Sequence, residues 1–309
     1  MTAADNMLYF LEVSGTGRIV DAAKHFGVDH TTVSRRIARL EKQLGVRLFD
    51  RGPTGWQLTD AGRRLVPYAR TVESTLRAAI DAAQGCTDGT ISGTARIATP
   101  DGFGSFVLIP GLRSLRRDHP DLAVELVTAT THNLVAARDF DVAVTLEYPS
   151  PRSVTVEKLA DYRLQLYASR DYLADLPALD SVQDLRHCTL IWYVDAYLDV
   201  EPLREIYSLV PNFYAHIQTN NITGHYLAAK SGLGIAPLPT YIGESDDSLE
   251  VVLPELFTVH QTYWLVVPRD LERLARIRTI TDLLKTITSQ HPELNRPGSL
   301  SPGGSVHDR

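Results

Sequence analysis

The side chains able to do covalent or metal chemistry are few and scattered along this sequence. Its two cysteines, Cys86 and Cys188, lie far apart, and its ten histidines form no group with the spacing of a metal site. The sequence contains no HExxH helix, no Walker-type phosphate loop and no GxSxG nucleophile elbow. We therefore expect no catalytic centre, metal or cofactor, and the low cysteine content favours a reducing, cytoplasmic setting.

A more compact set of polar side chains lies near the beginning of the chain. It comprises His30, Thr31, Thr32, Ser34, Arg35 and Arg36. Hydroxyl, imidazole and guanidinium groups hydrogen-bond to phosphates and to base edges. Eleven Lys or Arg and five Asp or Glu fall between Arg18 and Arg70, although the whole chain has a formal net charge of −6. A basic block on an acidic protein favours nucleic-acid binding, and a solvated charged surface is the alternative.

Apolar spacing around this set predicts two helices joined by a short turn. The first has apolar positions Ile19, Ala22, Ala23 and Phe26, and the second has Val33, Ile37, Leu40 and Leu44. Gly27 supplies the turn, Asp29 stands at the N-cap position, and Gly45 follows the second helix. This pattern predicts a helix-turn-helix, whose second helix would place its polar N-terminal residues in the major groove.

A small hairpin is predicted directly after the second helix. The segments "RLF" and "WQL" have the character of short strands on either side of the turn "RGPTG". Arg51 and the backbone of residues 52–55 would then be available to contact phosphate. We expect Trp56 to pack under this wing, and Thr59 to cap the next helix.

Many residues of this head occur in register in a known family. They are Phe10, Ala22–Ala23, Val28, Ser34–Arg35, Leu40–Glu41, Leu44–Gly45, Leu48–Phe49, Arg51 and Leu58–Thr59–Asp60–Ala61–Gly62. Over about residues 7 to 88 the sequence resembles the winged helix-turn-helix head of LysR-type transcriptional regulators, which implies a DNA-binding domain over residues 1–58. Where that family usually has Ser or Thr at the first helix of the motif, this chain has Arg18 and Val20.

Residues 59–88 are predicted to form one long linker helix. Leu65, Ala69, Val72, Leu76, Ala79 and Ala83 recur at the alternating spacing of a heptad seam. A seam of this length favours a second helix as its partner, and therefore a homodimer or a tetramer, as the resemblance also implies. Packing against the chain's own body is the alternative.

The remaining residues predict an α/β body over 89–295. Strand-like segments alternate with helical ones; the strands are "TARIAT", "LAVELVT", "DVAVTL", "RLQLYAS", "CTLIWY", "AHIQT", "GIAPL" and "YWLVV". We expect largely parallel sheets. "PDGFGSFVLIPGL", "FDVAV", "YASRDYL" and "AAKSGLGIAPLP" resemble the periplasmic-binding-protein-like effector domain of the same family. That resemblance implies two lobes. The first would comprise about residues 93–162 together with 263–290, and the second about residues 163–262. Residues 296–309 are expected to be a disordered tail.

Two strand-to-helix turns of the body are candidate walls of an effector site. They are "ATPDGFGS", residues 98–105, and "QTNNITGH", residues 218–225. Free amides at a helix start suit a carboxylate, although Thr, Asn and Ser in such positions are more often simple caps. Asp101 would repel an anion unless it caps its own helix, so an amine or several hydroxyls would also suit the site. The candidate residues are Thr99, Asp101, Gly102, Phe103, Ser105, Thr130, Tyr193, Thr219, Asn220 and Asn221.

The sequence is thus interpreted as a LysR-type regulator, which would bind operator DNA and a small-molecule effector. A carboxylate or an amino-acid-like compound is the candidate effector. The alternatives are a binding protein or enzyme whose head only dimerises, and a winged-helix DNA-packaging protein. The basic recognition face argues against the first, and the predicted ligand cleft argues against the second. The effector, the operator and the direction of control are left open.

Overall fold

The computed structural model describes residues 3–52, 55–84, 91–128, 140–149, 153–195, 203–204, 206–210 and 213–295. The predicted tail, the last residues (85–88) of the predicted linker helix, and Thr130 lie outside these residues. The described residues group into two compact units, one up to Gln84 and one from Ile91 onward. We call them the head and the body.

The head is three helices followed by a hairpin and a long helix. Helices α1 (Ala3–Thr16), α2 (Ile19–Phe26) and α3 (His30–Leu44) precede strands β1 (Phe49–Gly52) and β2 (Gly55–Leu58), and α4 (Asp60–Gln84) follows. β1 and β2 pair antiparallel. The buried core consists of Phe10, Val13, Ala22, Ala23, Val33, Ile37, Leu40, Leu48, Phe49 and Ala69. Of the other predicted apolar positions, Ile19 packs beside this core, whereas Leu44 is 42% exposed. The winged helix-turn-helix prediction is confirmed.

Local signals account for the boundaries of α2 and α3. Gly27 and Gly45 end these helices with φ of 63° and 70°, values that favour glycine because it has no Cβ. Asp29 caps α3 through its side chain. Arg18 occupies the corresponding position before α2 and makes no side-chain cap. The departure seen in the sequence therefore leaves the start of α2 without the usual hydroxyl cap.

The first half of the linker helix α4 packs in the head. Thr59 caps it, accepting a hydrogen bond from the Gly62 amide at 3.0 Å. Ala69 is buried and Leu65 packs beside it in the head core. Leu76, further along the predicted seam, is 39% exposed. At about 1.5 Å per residue this helix extends well past the head core.

The body is built on one mixed, seven-stranded sheet. Its strands are β3 (Gly93–Thr99), β4 (Leu122–Thr128), β5 (Val142–Thr145), β6 (Val154–Ser169), β9 (Ala236–Pro239), β10 (Leu249–Val252) and β11 (Thr258–Pro268). Strands β4, β3 and β5 run parallel, in that order. The long strands β6 and β11 pair antiparallel with each other, and β5, β9 and β10 also pair antiparallel with them.

The expectation of largely parallel sheets is therefore wrong for this body. β6 carries the chain from one half of the sheet to the other, and β11 carries it back, so the two must run in opposite directions. Their register shifts between Tyr263 and Trp264. A bulge of this kind bends and twists a strand pair. The bulge lies beside Tyr162 and Tyr263, which are also the residues at the predicted boundaries between the two lobes.

Helices and a second small sheet cover the body. Helix α5 (Asp101–Phe103), a π-helical turn (Gly104–Leu108) and α6 (Ile109–Asp118) follow β3 without interruption. Strands β7 (Ile191–Trp192) and β8 (Ile217–Gln218) pair parallel. The other helices are α7 (Arg170–Ala174), a 3-10 turn (Val182–His187), α8 (Ile206–Leu209), α9 (Ile222–Lys230), α10 (Thr240–Gly243) and α11 (Ala275–Gln290). Among the described helices, none is both long enough and apolar enough for a membrane crossing.

Candidate functional site

The N-terminal turn of α3 is organised by the carboxylate of Asp29. One oxygen accepts the amide of Thr32 at 2.8 Å and the hydroxyl of Thr31; the other accepts the hydroxyl of Thr32 at 3.0 Å. These hydrogen bonds, the one from Thr31 first, lower the pKa of Asp29 from its usual 3.8 to about 2. Asp29 therefore fixes the rotamers of both threonines.

The six polar residues predicted on α3 differ in their solvent exposure. His30, Thr31 and Arg35 are exposed, whereas Thr32, Ser34 and Arg36 are half-buried. The guanidinium of Arg36 lies over the ring of Tyr9, 4.9 Å from its centroid. A stacked guanidinium holds the helix to its neighbour. Of these two arginines, Arg35 is therefore the solvent-exposed one.

Arg51 is held by two contacts within the head. Its Nη2 lies 3.2 Å from an oxygen of Glu41, and its guanidinium lies 4.3 Å from the centroid of the Trp56 ring. The other Glu41 oxygen accepts the amides of Leu48 and Phe49, at 2.8 and 3.3 Å. Glu41 therefore connects α3 to the hairpin and positions Arg51, whose side chain is 47% exposed.

Trp56 packs against the hairpin core, as the sequence predicted. Its ring centroid lies 5.5 Å from that of Phe49, which in turn contacts Phe10. The sequence did not predict that the other face of the indole would receive Arg51. A cation over an indole ring is attracted by the ring's negative face, so this tryptophan contributes to both the core and the basic surface.

The first predicted wall of the body site lies at the end of β3. Thr99 is fully buried, and its hydroxyl has no hydrogen-bond partner among the described residues. Asp101 is 9% exposed, and Gly102 and Phe103 are buried after it. Ser105 donates a long hydrogen bond of 3.4 Å to Asp101. The π-helical turn that follows is a local departure from α-helix of the kind often found at functional sites.

The second predicted wall is the start of α9. Asn221 is its N-cap, accepting the Gly224 amide at 2.8 Å, and the Thr219 hydroxyl accepts the Asn221 amide at 3.2 Å. Asn220 is exposed beside them. The side-chain cap of α9 is therefore Asn221, and not its neighbour Asn220. Two residues of this wall, Thr219 and Asn221, therefore already have structural roles.

The two walls touch through Asp101. Its Oδ2 accepts both the amide and the hydroxyl of Thr223, each at 3.0 Å. A Cβ added at Gly102 would lie 3.1 Å from both Ile222 Cγ2 and Tyr241 Oη. The sequence left open whether Asp101 caps its own helix. The carboxylate instead binds the first turn of α9, a helix 122 residues further along the chain. Thr223 is a member of this site that sequence reasoning missed.

A group of buried aromatic residues lies beside this contact. The rings of Tyr162 and Tyr263 stack at 4.2 Å, Phe103 meets Tyr263 edge-on at 4.9 Å, and the hydroxyls of Tyr241 and Tyr263 are 2.8 Å apart. Burial raises the pKa values of these three tyrosines well above 10. They are neutral hydroxyls carried by β6, β11 and α10, in the region where β6 and β11 pair.

Tyr193 and His225 extend the group toward α9. Their rings meet edge-on at 4.5 Å. Burial first, and then the charge of Asp101, raises the pKa of Tyr193. Burial lowers the pKa of His225 to about 4, although backbone carbonyls near its ring favour the protonated form. Trp192, by contrast, is 1% exposed and packs on Phe213, so it belongs to the core.

The site holds no arrangement typical of catalysis in the described part of the chain. Within those residues, no group of three or more His, Cys, Asp or Glu side chains could hold a metal ion. Cys188 is buried, and burial raises the pKa of its thiol, which keeps it unreactive. What remains is a basic helical surface on the head and a polar contact between two turns of the body.

Comparison with known proteins gives two family matches that together span most of the chain. Residues 4–63 match the model described as "Bacterial regulatory helix-turn-helix protein, lysR family", and residues 88–288 match the "LysR substrate binding domain".

Similar proteins carry regulator names. The chain is 26% identical to the HTH-type transcriptional regulator PtxR of Pseudomonas aeruginosa, over 77% of each chain. It is 26% identical to the Mau operon transcriptional activator of Paracoccus denitrificans, covering 83% of this chain and 84% of that protein. Two solved structures share the fold: a full-length OxyR variant from P. aeruginosa (TM-score 0.71, 18% identity, 96% and 99% coverage) and ArgP from Mycobacterium tuberculosis (TM-score 0.69, 21% identity, 92% and 97% coverage).

Proposed function

The chain belongs to the LysR family of transcriptional regulators, and from that premise we propose which of its residues contact DNA and which contact an effector. As a LysR-type regulator it has a DNA-binding helix-turn-helix head and a substrate-binding domain. The relatives it matches are regulators, and we propose that it too acts without catalysis. We propose that the protein acts on chromosomal DNA in the cytoplasm.

The exposed start of α3 is proposed as the surface that reads base sequence. The observation that carries this proposal is the division of the helix into a buried apolar face and a polar, capped N-terminal face. Val33, Ile37 and Leu40 are fully buried on one side, whereas His30, Thr31 and Arg35 are exposed on the other. In helix-turn-helix proteins the N-terminal residues of the second helix face base edges. Thr32, Ser34 and Arg36 flank them.

The wing is proposed to contact the DNA backbone through Arg51. Its guanidinium keeps much of its exposure while Glu41 and Trp56 fix its direction. A positioned arginine binds a phosphate with less loss of side-chain entropy than a free one. Because Glu41 offsets part of its charge, we expect Arg51 to add less to the salt dependence of binding than Arg35.

The second half of α4 is proposed to pair with the same helix of another copy. Leu76 is 39% exposed on the predicted seam, and an exposed leucine on a heptad stripe favours a coiled-coil partner. A dimer would present two heads, which matches the two half-sites that such regulators require on DNA.

The contact between the two body turns is proposed as the place where an effector acts. Thr99, Asp101, Gly102, Phe103 and Ser105 form one side, and Thr219, Asn220 and Asn221 form the other, with Tyr193 beside them. A ligand that prefers one arrangement of these walls would shift the population toward it by its difference in affinity. Thr130 was predicted as an effector-binding residue and lies outside the described residues.

Selection of bound sites from random double-stranded DNA tests the proposal directly. We expect the full-length chain to enrich paired half-sites separated by about 10 base pairs or a multiple of it. A protein whose head only dimerises would enrich no sequence. Unpaired, sequence-independent binding would instead favour a packaging role.

A further inference from the structure

We propose that Asp101 is an internal anion that occupies the start of α9, so that this regulator takes an effector with an amine or hydroxyl there and excludes a carboxylate. The effector part of this inference rests on the proposed function. The internal contact itself does not, and it is tested separately below.

The start of α9 has the groups that usually bind an anion. The first amides of a helix lack intrahelical partners, and the helix dipole favours negative charge at this end. In this chain the charge comes from Asp101, whose Oδ2 lies 3.0 Å from both the amide nitrogen and the hydroxyl of Thr223. The carboxylate is 9% exposed, so solvent screens it little.

The other donors of this turn are also in use. The Gly224 amide donates to the Asn221 side chain at 2.8 Å, and the Asn221 amide donates to the Thr219 hydroxyl at 3.2 Å. A carboxylate ligand arriving here would have to displace Asp101 or sit beside it. Two carboxylates in one buried site repel strongly, so an anionic ligand is disfavoured.

Neutral donors and acceptors around Asp101 define what the site accepts. The Thr99 hydroxyl is buried without a partner among the described residues. Tyr193 and Tyr241 lie close enough to Asp101 for its charge to raise the pKa of both, after the larger effect of burial. A protonated amine would be attracted by the carboxylate and by the aromatic faces, and a hydroxyl could bond to Thr99.

Chemical rescue distinguishes an anionic role of the Asp101 carboxylate at the start of α9 from a role in packing alone. Asp101→Ala removes the carboxylate and leaves the amide and hydroxyl of Thr223 without their acceptor. Formate supplies a free carboxylate that can take its place. The probe is sodium formate, with sodium chloride at equal ionic strength as the reference. The readouts are the melting temperature and hydrogen exchange of the peptide spanning residues 220–226, measured on the full chain.

In Asp101→Ala we expect exchange of that peptide to rise about tenfold, since losing a bond of about 1.4 kcal/mol changes an opening equilibrium by that factor. Formate should restore protection saturably in the variant and do nothing to the wild type. Asp118→Ala, which removes a carboxylate from the exposed end of α6, should change neither readout. Unchanged exchange in Asp101→Ala, or formate acting on both proteins alike, would overturn the proposal.

If Asp101→Ala does not fold, Thr223→Val provides the second test. It keeps the amide and removes only the hydroxyl donor, so we expect an intermediate rise in exchange and no formate response. Wild-type exchange in this variant would also contradict the internal contact. None of these measurements uses DNA or an effector, so they can succeed even where the proposed effector response fails.

Discussion

Single arginines of the head differ in role according to what each side chain contacts. Arg36 lies over Tyr9, Arg51 is shared between Glu41 and Trp56, and Arg35 is exposed. Charge alone would treat all three as DNA ligands. Contacts within the head reduce the freedom of two of them, because a guanidinium that moves to DNA must first give up its stacking or its ion pair.

Arg35 and Arg36 should therefore respond differently to replacement by alanine. Arg35→Ala should weaken specific DNA binding by about 1–3 kcal/mol, the range for a bidentate arginine–guanine contact. Its melting temperature should not change. Arg36→Ala should lower the stability of the head by about 0.5–1 kcal/mol, the range for an exposed cation–π contact. Fluorescence anisotropy on the selected site, at several salt concentrations, together with thermal unfolding, measures both effects.

Equal losses of DNA affinity in the two variants, with no loss of stability in Arg36→Ala, would contradict this division. A loss in Arg35→Ala that is the same on specific and random DNA, with a shallower salt dependence, would place Arg35 on phosphate. In that case it would not be a base contact.

Asp29 links the charge of one residue to the order of the whole α3 turn. Its pKa is lowered from 3.8 to about 2 by hydrogen bonds from Thr31 and Thr32. A lowered pKa in the folded state means that the ionised form stabilises folding above about pH 4. This contribution is lost as the pH falls through about 2.

Replacement of Asp29 by alanine should thus destabilise the chain at pH 7 and have a shrinking effect as the pH falls from 4 toward 2. Urea unfolding followed by circular dichroism, at several pH values, gives the difference between variant and wild type. Asp21→Ala, on the neighbouring helix, is the control. A penalty that stays constant over the whole pH range would show that the ionised carboxylate is not the stabilising group.

At the scale of elements, α4 has two halves with different surroundings. Leu65 and Ala69 pack in the head core, while Leu76 is 39% exposed in the single chain. Burying a leucine completely stabilises an association by about 1.5–3 kcal/mol. An element with such an unpaired apolar stripe favours self-association over isolation.

A charge on that stripe should therefore separate the copies without unfolding them. Leu76→Asp is expected to give monomers, measured by multi-angle light scattering, and to weaken binding to a two-half-site DNA more than to a single half-site. Thr75→Asp adds the same charge to an exposed neighbouring position and should leave the assembly intact. Dimers in Leu76→Asp at low micromolar concentration would contradict the seam.

At the scale of the molecule, regulation requires that an event in the body alter what the heads do on DNA. The two long strands β6 and β11 connect the halves of the body, and the rings of Tyr162 and Tyr263 stack within this strand pair. Asp101 and Thr223 also join the halves. A ligand that changes this contact changes the relation between the halves, which is the kind of two-state element that a switch needs.

The hydroxyl of Thr99 gives a direct test of ligand contact. Because it is buried without a partner among the described residues, Thr99→Val should keep or slightly raise the melting temperature. If the hydroxyl binds the effector, the same variant should lose the effector-dependent change in DNA affinity. Thr94→Val, the same substitution at the other end of β3, is the matched control.

Calorimetry and DNA binding across a panel of amines, polyols, amino acids and small acids provide the measurement. We expect the active compounds to lack a carboxylate at the α9 end. A wild-type response in Thr99→Val would place the ligand elsewhere.

Most of the head could be predicted from the sequence, because its determinants are local. Gly27, Asp29 and Gly45 fix helix ends through backbone and side-chain contacts within a few residues, and the spacing of Val33, Ile37 and Leu40 fixes the buried face. The two turns of the body that face each other were also predicted as strand-to-helix turns. These patterns have short periods that can be recognised in a single sequence.

Only the tertiary structure shows which distant residues meet. Asp101 and Thr223 are separated by 122 positions, and no periodicity relates them. The packing of whole elements likewise decides the direction of β6 and β11 and the stacking of Tyr162 on Tyr263. It also decides the position of Arg36 over Tyr9. Helices and strands follow from propensity and spacing along the chain, whereas the partner of a buried carboxylate is decided by which surfaces fold together.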